Sequence, residues 1–241
     1  MEKKETDTKI EDQYEEADLV KSTLGSTEKV KLPPIHLKNN GSVYEGEWKD
    51  GKRCGYGVHN WKDGSKYEGM WENNMTNGRG KFYHSSGDTY DGEWKNDKTN
   101  GKGIYLHLNG SKYIGEWLED KMHGYGVEVW QDGASYAGQY LNGKKHGKGK
   151  MIFADKGVYE GDYFNNHIHG IGVYTWADGR RYEGGWENEK LHGRGVIRWE
   201  DGRYYDGEYV NDKKEGYGTF KYEDGDDRMY IGGCRYEGQW K

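Results

Sequence analysis

The sequence is poor in what an ordinary globular core is built from. Only 32% of its 241 residues are hydrophobic and 15% are aromatic, so leucine, isoleucine and valine are too few for a conventional core. The two cysteines, Cys54 and Cys234, lie far apart and match no disulfide or metal framework, which points to a reducing compartment. An excess of positive charge is missing too. The net charge is -6 with acids and bases interspersed, and nucleic acid requires a clustered basic face. No apolar run approaches a membrane span, and the opening MEKKETDTKIEDQ lacks the apolar core of a signal peptide. The chain expected from these absences is soluble and intracellular.

What the sequence does have is 22 Tyr, 10 Trp and 40 Gly. Large rings remove much apolar area from water, and glycine leaves room for them. They follow one register. Tyr44, Tyr67, Tyr90, Tyr113, Tyr136, Tyr159, Tyr182 and Tyr205 recur at a constant spacing of 23 residues, the mark of stacked modules that cannot bury a face alone. Two residues after each stands Gly (Gly46 through Gly207), and two further on an aromatic, as Trp48, Trp71, Trp94, Trp117, Tyr140, Tyr163, Trp186 and Tyr209. This alternation is a strand signature. A second strand begins at Gly-x-Gly, as at Gly55 and Gly57, and runs to an aromatic or His slot such as Trp61 or His84. A turn such as Asp63-Gly64 follows.

Loop length decides which residues share a face. A three-residue loop, Lys62-Asp63-Gly64, places Gly57, Trp61, Tyr67, Gly69 and Trp71 together, with each ring beside a glycine that receives it. Glu45, Glu47, Asp91, Glu93, Glu116, Glu160, Asp162 and Glu208 then point the other way, as do Val58, Ile104, Val127, Val173 and Val196. Irregularities mark the ends. Asn40-Gly41 reads as the tail of an incomplete repeat, Ala154-Asp155-Lys156-Gly157 as a turn shifted by one residue, and extra residues precede a partial repeat at Tyr236. Lys241 falls in mid-motif, so the last strand is a cap or the natural chain continues. Residues 1–35 differ in kind: nine acids against six bases, little glycine, and the Pro33-Pro34 break. Ile10, Tyr14, Ala17 and Leu24 follow helical spacing with Gly25 as a cap, so this leader is a short amphipathic helix or a disordered acidic tail.

The recurring YEGEW, GYG and KDG resemble the MORN repeat, and the resemblance covers Asn40 to Lys241. It implies an all-β fold: a single-layer, elongated antiparallel sheet of stacked hairpins, twisted into a rod or shallow groove, over residues 36–241. About seventeen strands at ~4.8 Å spacing would span about 80 Å. One layer leaves its aromatic face to close by twist or to meet a partner.

The chemistry expected of the site is binding. His123, His146, His169 and His192 share the period, but equivalent residues two strands apart stand ~9.6 Å from each other, whereas zinc holds its nitrogens at ~2.1 Å. His167 and His169 are closer but lack a Cys or carboxylate in register. The Gly-x-Gly units lack the third Gly with a following helix and the Gly-Lys-Ser/Thr ending of a phosphate cradle. No repeat assembles a nucleophile, base and orienting group. Hence no catalytic, metal or cofactor-binding residue and no cofactor are expected, and the protein reads as a non-enzymatic scaffold.

A partner segment would lie on Phe82, Tyr105, Trp117, Tyr140 and Tyr174. The resemblance, which extends to ciliary radial-spoke-head and protist cytoskeletal proteins, implies axonemal or cytoskeletal protein partners, homo- or hetero-oligomers, and a place in the cytoplasm, cytoskeleton, cilium or flagellum. The alternative is a membrane-contact module. The segments between paired strands carry Lys52, Arg53, Lys98, Lys121, Lys144, Lys145, Lys190, Lys213 and Lys214, and Lys144, Lys145, Lys213 and Lys214 would meet phosphoinositide headgroups or other anionic lipid.

Overall fold

The computed structural model describes residue 10, residues 13–221 and, for the backbone, residues 227–231. It divides into two compact units, Met1–Met122 and His123–Lys241. The first holds a one-turn helix, α1 (Ala17–Lys21), and strands β1 (Val30–His36), β2 (Val43–Lys49), β3 (Lys52–Asn60), β4 (Lys66–Glu72), β5 (Met75–Tyr83), β6 (Thr89–Lys95), β7 (Lys98–Leu106) and β8 (Lys112–Leu118). The second opens within β9 (Lys121–Val129) and continues through β10 (Ser135–Leu141), β11 (Lys144–Ile152), β12 (Val158–Phe164), β13 (His167–Thr175), β14 (Arg181–Glu187), β15 (Lys190–Arg198), β16 (Tyr204–Val210), β17 (Lys213–Lys221) and β18 (Asp227–Ile231). In each unit the strands pair antiparallel with their chain neighbours, β1 through β8 and β9 through β18. Each unit is thus a single-layer meander of stacked hairpins, as expected. The partial repeat at Tyr236 lies outside the described residues.

Two turn types alternate. Within a repeat, two residues with positive φ join the strands: Asp50-Gly51 (47° and 68°), Asn73-Asn74 (50° and 70°), Asn96-Asp97 (50° and 65°). Positive φ at both central residues is the type I′ turn, whose twist matches the strands and which Asn, Asp and Gly adopt at least cost. Between repeats the three-residue loop predicted at Lys62-Asp63-Gly64 is present, with the Trp61 N–H donating to the Ser65 carbonyl at 2.9 Å and Gly64 at φ 90°. The register pairs His59 with Tyr67, Gly57 with Gly69 and Gly55 with Trp71, so the rings do share one face.

The turn at residues 154–157 corrects the sequence reading. It is not shifted: the Phe153 N–H donates to the Gly157 carbonyl at 2.8 Å, and Lys156 itself takes the left-handed position with φ 74°. Gly157 occupies the next slot because a methyl there would overlap the Tyr174 hydroxyl. The bases assigned to loops are corrected too. Lys52, Lys98, Lys121, Lys144, Lys190 and Lys213 are the first residues of strands, because the turns they follow are only two residues long.

The repeated glycines serve the rings. Tyr67 lies across Gly69 and Gly80, where a methyl on either would overlap its hydroxyl end, and its hydroxyl donates to the Met70 carbonyl at 3.0 Å. Tyr90, Tyr136, Tyr159 and Tyr182 repeat the bond three residues on, at 3.0, 3.1, 2.9 and 2.9 Å. Rings then alternate edge to face. Trp71 stands between Tyr44 and Tyr67 at 5.3 Å from each, and Trp94 between Tyr67 at 5.3 Å and Tyr90 at 5.2 Å. In the second unit Trp186 stands between Tyr159 at 5.4 Å and Tyr182 at 5.3 Å. Each such pair contributes ~0.5–1.5 kcal/mol beyond area burial, so the ladder replaces an aliphatic core.

The leader completes this ladder at its first rung. Trp48 has Tyr44 on one side at 5.3 Å and Tyr14 on the other at 5.2 Å, both edge to face, so Tyr14 stands where a preceding repeat would place its tyrosine. The Asp50 N–H donates to the Thr23 carbonyl at 3.1 Å, and Asp50 Oδ1 accepts the Gly25 N–H at 2.9 Å. Ile10, Tyr14, Val20, Leu32 and Ile35 are buried with Tyr44, Trp48, Tyr67 and Trp71 in one cluster. The boundary expected at residue 35 falls inside β1, which pairs with β2. Pro33 and Pro34 do not break this strand because they sit where the register shifts between Leu32 and Ile35.

Candidate partner-binding face

Above the ladder lies a second, less buried row of rings. Phe82 is paired across the sheet with Tyr67 and Tyr105 with Tyr90, and in the second unit Tyr174 pairs with Tyr159 and Phe220 with Tyr205. The slot before each three-residue loop adds another ring: Trp61 lies 5.4 Å from Phe82, Trp176 lies 4.7 Å from Tyr174, and Trp199 lies 5.6 Å from Phe220. In the first unit the leader packs against the start of this row, and Trp61, Phe82 and Trp94 flank the cluster it joins. In the second unit an open cavity of about 340 Å³ lies on the ring face, lined by Met151, Phe153, Ile168, Tyr174 and Trp186 with Lys145 and Glu189 at its polar side.

The five expected anchors separate into two levels. Phe82, Tyr105 and Tyr174 are half-buried members of the upper row. Tyr105 donates to Asp88 Oδ2 at 2.9 Å, and burial with that carboxylate pushes its pKa up to about 12. Trp117 and Tyr140 belong to the floor. Trp117 Nε1 donates to the Gly103 carbonyl at 3.4 Å, and Tyr140, only 4% exposed, donates to Glu128 Oε2 at 2.9 Å. The sequence places Phe153, Trp176 and Trp199 in the aromatic slot of Trp61 but not among the expected anchors, and it does not single out Phe220, in the slot of Phe82.

The four lysines expected at lipid do not share a face. Lys144 and Lys213 are exposed, but Lys145 and Lys214 follow them by one strand position and turn onto the rings. Lys145 Nζ lies 4.7 Å from the Trp130 ring centre, 5.1 Å from that of Tyr136, and 3.4 Å from Glu128 Oε2. Lys214 Nζ lies 4.5 Å from Tyr205, 4.9 Å from Phe220 and 5.5 Å from Trp199, and desolvation there lowers its pKa. In the second unit the buried hydroxyls of Tyr163 and Tyr209, on this face, have no hydrogen-bond partner.

The opposite face carries cross-strand ion pairs, Lys148 with Asp162 at 2.6 Å and Lys150 with Glu160 at 3.4 Å among them. Tyr56, Tyr125 and Tyr217 stand exposed between their glycines on this face. His123, His146 and His169 each bury Nδ1 without a hydrogen-bond partner, while His192 Nδ1 lies 3.4 Å from Glu187 Oε2, and among the described residues no three His, Cys, Asp or Glu side chains are grouped to hold a metal.

Solved structures give only faint likenesses. The TCP10 domain of Danio rerio CPAP in complex with a peptide of Danio rerio STIL matches with TM-score 0.49 at 13% identity, over 84% of this chain and 92% of that one. The G-box domain of the microcephaly protein CPAP matches with TM-score 0.47 at 15% identity, over 78% and 99%. A streptogramin B lyase reaches 0.18 at 15% identity, over 86% and 73%. Scores this low assign neither fold nor partner. No curated protein matches the chain. The MORN repeat model, in contrast, matches eight times in succession, at residues 44–66, 67–89, 90–112, 113–135, 136–158, 159–180, 182–202 and 205–227. With most of its length accounted for by these matches, the chain belongs to the MORN-repeat family.

Proposed function

We propose that this protein is a non-enzymatic scaffold that holds segments of other proteins along its ring face, within a cytoskeletal or ciliary assembly. The observation that carries the reading is the seating of the leader. Tyr14 meets Trp48 edge to face at 5.2 Å while Ile10 and Val20 bury beside it, so this face already accepts an amphipathic segment through one ring and a few aliphatic groups. In the second unit the upper row of Phe153, Tyr174, Trp176, Trp199 and Phe220 is only half-buried, which suits a partner segment of the same kind. The subcellular part extends the family resemblance.

Affinity purification of the tagged full-length chain from its own cells tests both parts, with a Phe153→Ser, Tyr174→Ser variant as the control. Cytoskeletal or axonemal proteins recovered with the wild type and lost from a variant of unchanged circular dichroism are the expected result. Equal recovery from both would move the binding face elsewhere. Recovery of the chain alone, with pelleting on phosphoinositide vesicles, would replace the scaffold with a membrane-contact role.

A further inference from the structure

Two places on the ring face of the second unit are built to one plan but differ in a single side chain. In the first, Glu128 on β9 serves two neighbours: its Oε2 accepts the Tyr140 hydroxyl at 2.9 Å and lies 3.4 Å from Lys145 Nζ. Three repeats on, Tyr209 and Lys214 stand at the slots of Tyr140 and Lys145, with Trp199, Tyr205 and Phe220 at those of Trp130, Tyr136 and Met151. The slot of Glu128 is held by Ile197. Both groups that the carboxylate serves are therefore left wanting. The Tyr209 hydroxyl, on a residue 3% exposed, has no hydrogen-bond partner. The Lys214 ammonium is ringed by three aromatic side chains, and no carboxylate among the described residues pairs with it.

We infer that Lys214 and the rings of Trp199 and Phe220 form a seat for a carboxylate side chain, an aspartate or glutamate carried by the partner segment that lies on this face. The inference rests on the scaffold reading and adds the chemistry of one anchor. A desolvated ammonium without a counter-ion is costly, and an arriving carboxylate relieves it. Lys214 is half-buried rather than buried, so the approach is from above the rings. The same rings favour apolar neighbours around the acid. The seat thus selects an acidic residue flanked by leucine or phenylalanine rather than a run of acids.

The test uses the full chain and two capped peptides of leucine and phenylalanine around one central residue, glutamate in the first and glutamine in the second. Titration followed by calorimetry should show the glutamate peptide binding about tenfold tighter, as a charge-assisted hydrogen bond predicts. Lys214→Met should abolish that preference, and Ile197→Glu, which rebuilds the Glu128 arrangement in place, should abolish it while raising the melting temperature. Equal binding of the two peptides would overturn the carboxylate seat and leave the ring-face reading standing, since the rings alone would then hold the peptide. A preference that survives Lys214→Met would also overturn the seat. Failure of either peptide to bind overturns the seat as well; the ring-face reading is then decided by recovery of protein partners with the Phe153, Tyr174 variant.

Discussion

Thr76 and Asp97 exchange a reciprocal pair of hydrogen bonds: the Asp97 N–H donates to the Thr76 carbonyl at 3.1 Å, and the Thr76 N–H donates to Asp97 Oδ1 at 2.7 Å. The first residue opens one hairpin and the second closes the turn of the next, so the pair ties consecutive repeats beyond the strand ladder. Arg53 with Asn74, Thr99 with Asp120, Lys145 with Asn166 and Leu191 with Asp212 repeat it. Asp97→Ala should cost about 1–2 kcal/mol, because it leaves a part-buried N–H unpaired and puts a residue that resists positive φ at 65°. Asp97→Asn should be near neutral, since Asn74 and Asn166 already fill this role. Urea unfolding of both variants distinguishes the side-chain acceptor from the backbone turn, and equal losses would assign the effect to charge.

Acid should weaken the first unit through His59. Burial first, then the Arg53 charge beside it, lowers its pKa to about 4, while an unfolded histidine titrates near ~6.5. The folded state therefore stays neutral where the unfolded state takes up a proton. Stability contributed by this group is complete above pH ~6.5, falls as pH drops toward 4, and levels below that. The greatest slope is about 1.4 kcal/mol per pH unit. Urea midpoints at pH 7 and pH 5 should separate more for the wild type than for His59→Phe. Parallel shifts in the two proteins would remove His59 as the cause.

Much of this could be read in advance because each repeat solves the same steric problem. Tyr, the Gly two residues later and the second Gly of Gly-x-Gly are one device, a ring over two methyl-free positions, so their spacing specifies strand, face and loop length together. The leader was not legible in this way. Tyr14 completes the ladder without a repeat around it: Glu16, not glycine, follows two residues later, and only docking in space brings it to Trp48. The depth of the rings was equally hidden. Tyr140 and Tyr209 occupy the same slot, but whether the hydroxyl finds an acceptor depends on a residue of the preceding strand, Glu128 or Ile197. For Lys145 and Lys214 a signal existed in strand parity, since the second lysine of each pair must turn to the face opposite the first.

Glycines should divide into two classes under substitution. At Gly80 a methyl would overlap the Tyr67 hydroxyl and ring, and Tyr67 is fully buried, so Gly80→Ala must displace the ring and break its bond to the Met70 carbonyl. A loss of about 3 kcal/mol or more is expected. At Gly64 nothing lies within 4 Å of an added methyl, and only the φ of 90° opposes it. Gly64→Ala should cost about 1 kcal/mol. The checks are urea midpoint and tryptophan emission, which should shift for Gly80→Ala alone because Trp71 and Trp94 both contact Tyr67. Equal losses at the two sites would mean that backbone strain, not the ring seat, sets the glycine requirement.

Tyr163 holds the slot where Trp71, Trp94 and Trp186 each donate an indole N–H to a glycine carbonyl, at 3.2, 3.1 and 3.2 Å, on the preceding hairpin. Its own hydroxyl is buried without a partner, and the cavity of about 340 Å³ lies beside it. Tyr163→Trp should place Nε1 within reach of the Gly149 carbonyl, remove the orphaned hydroxyl and fill part of the cavity. The expected gain is about 1 kcal/mol, read as a raised melting temperature. The same substitution should weaken any partner seated in that cavity, because the added ring takes its space. A lower melting temperature would show that the tyrosine rung is already packed to fit its neighbours. A higher one with unchanged partner recovery would place the bound segment over Trp199 and Phe220 instead.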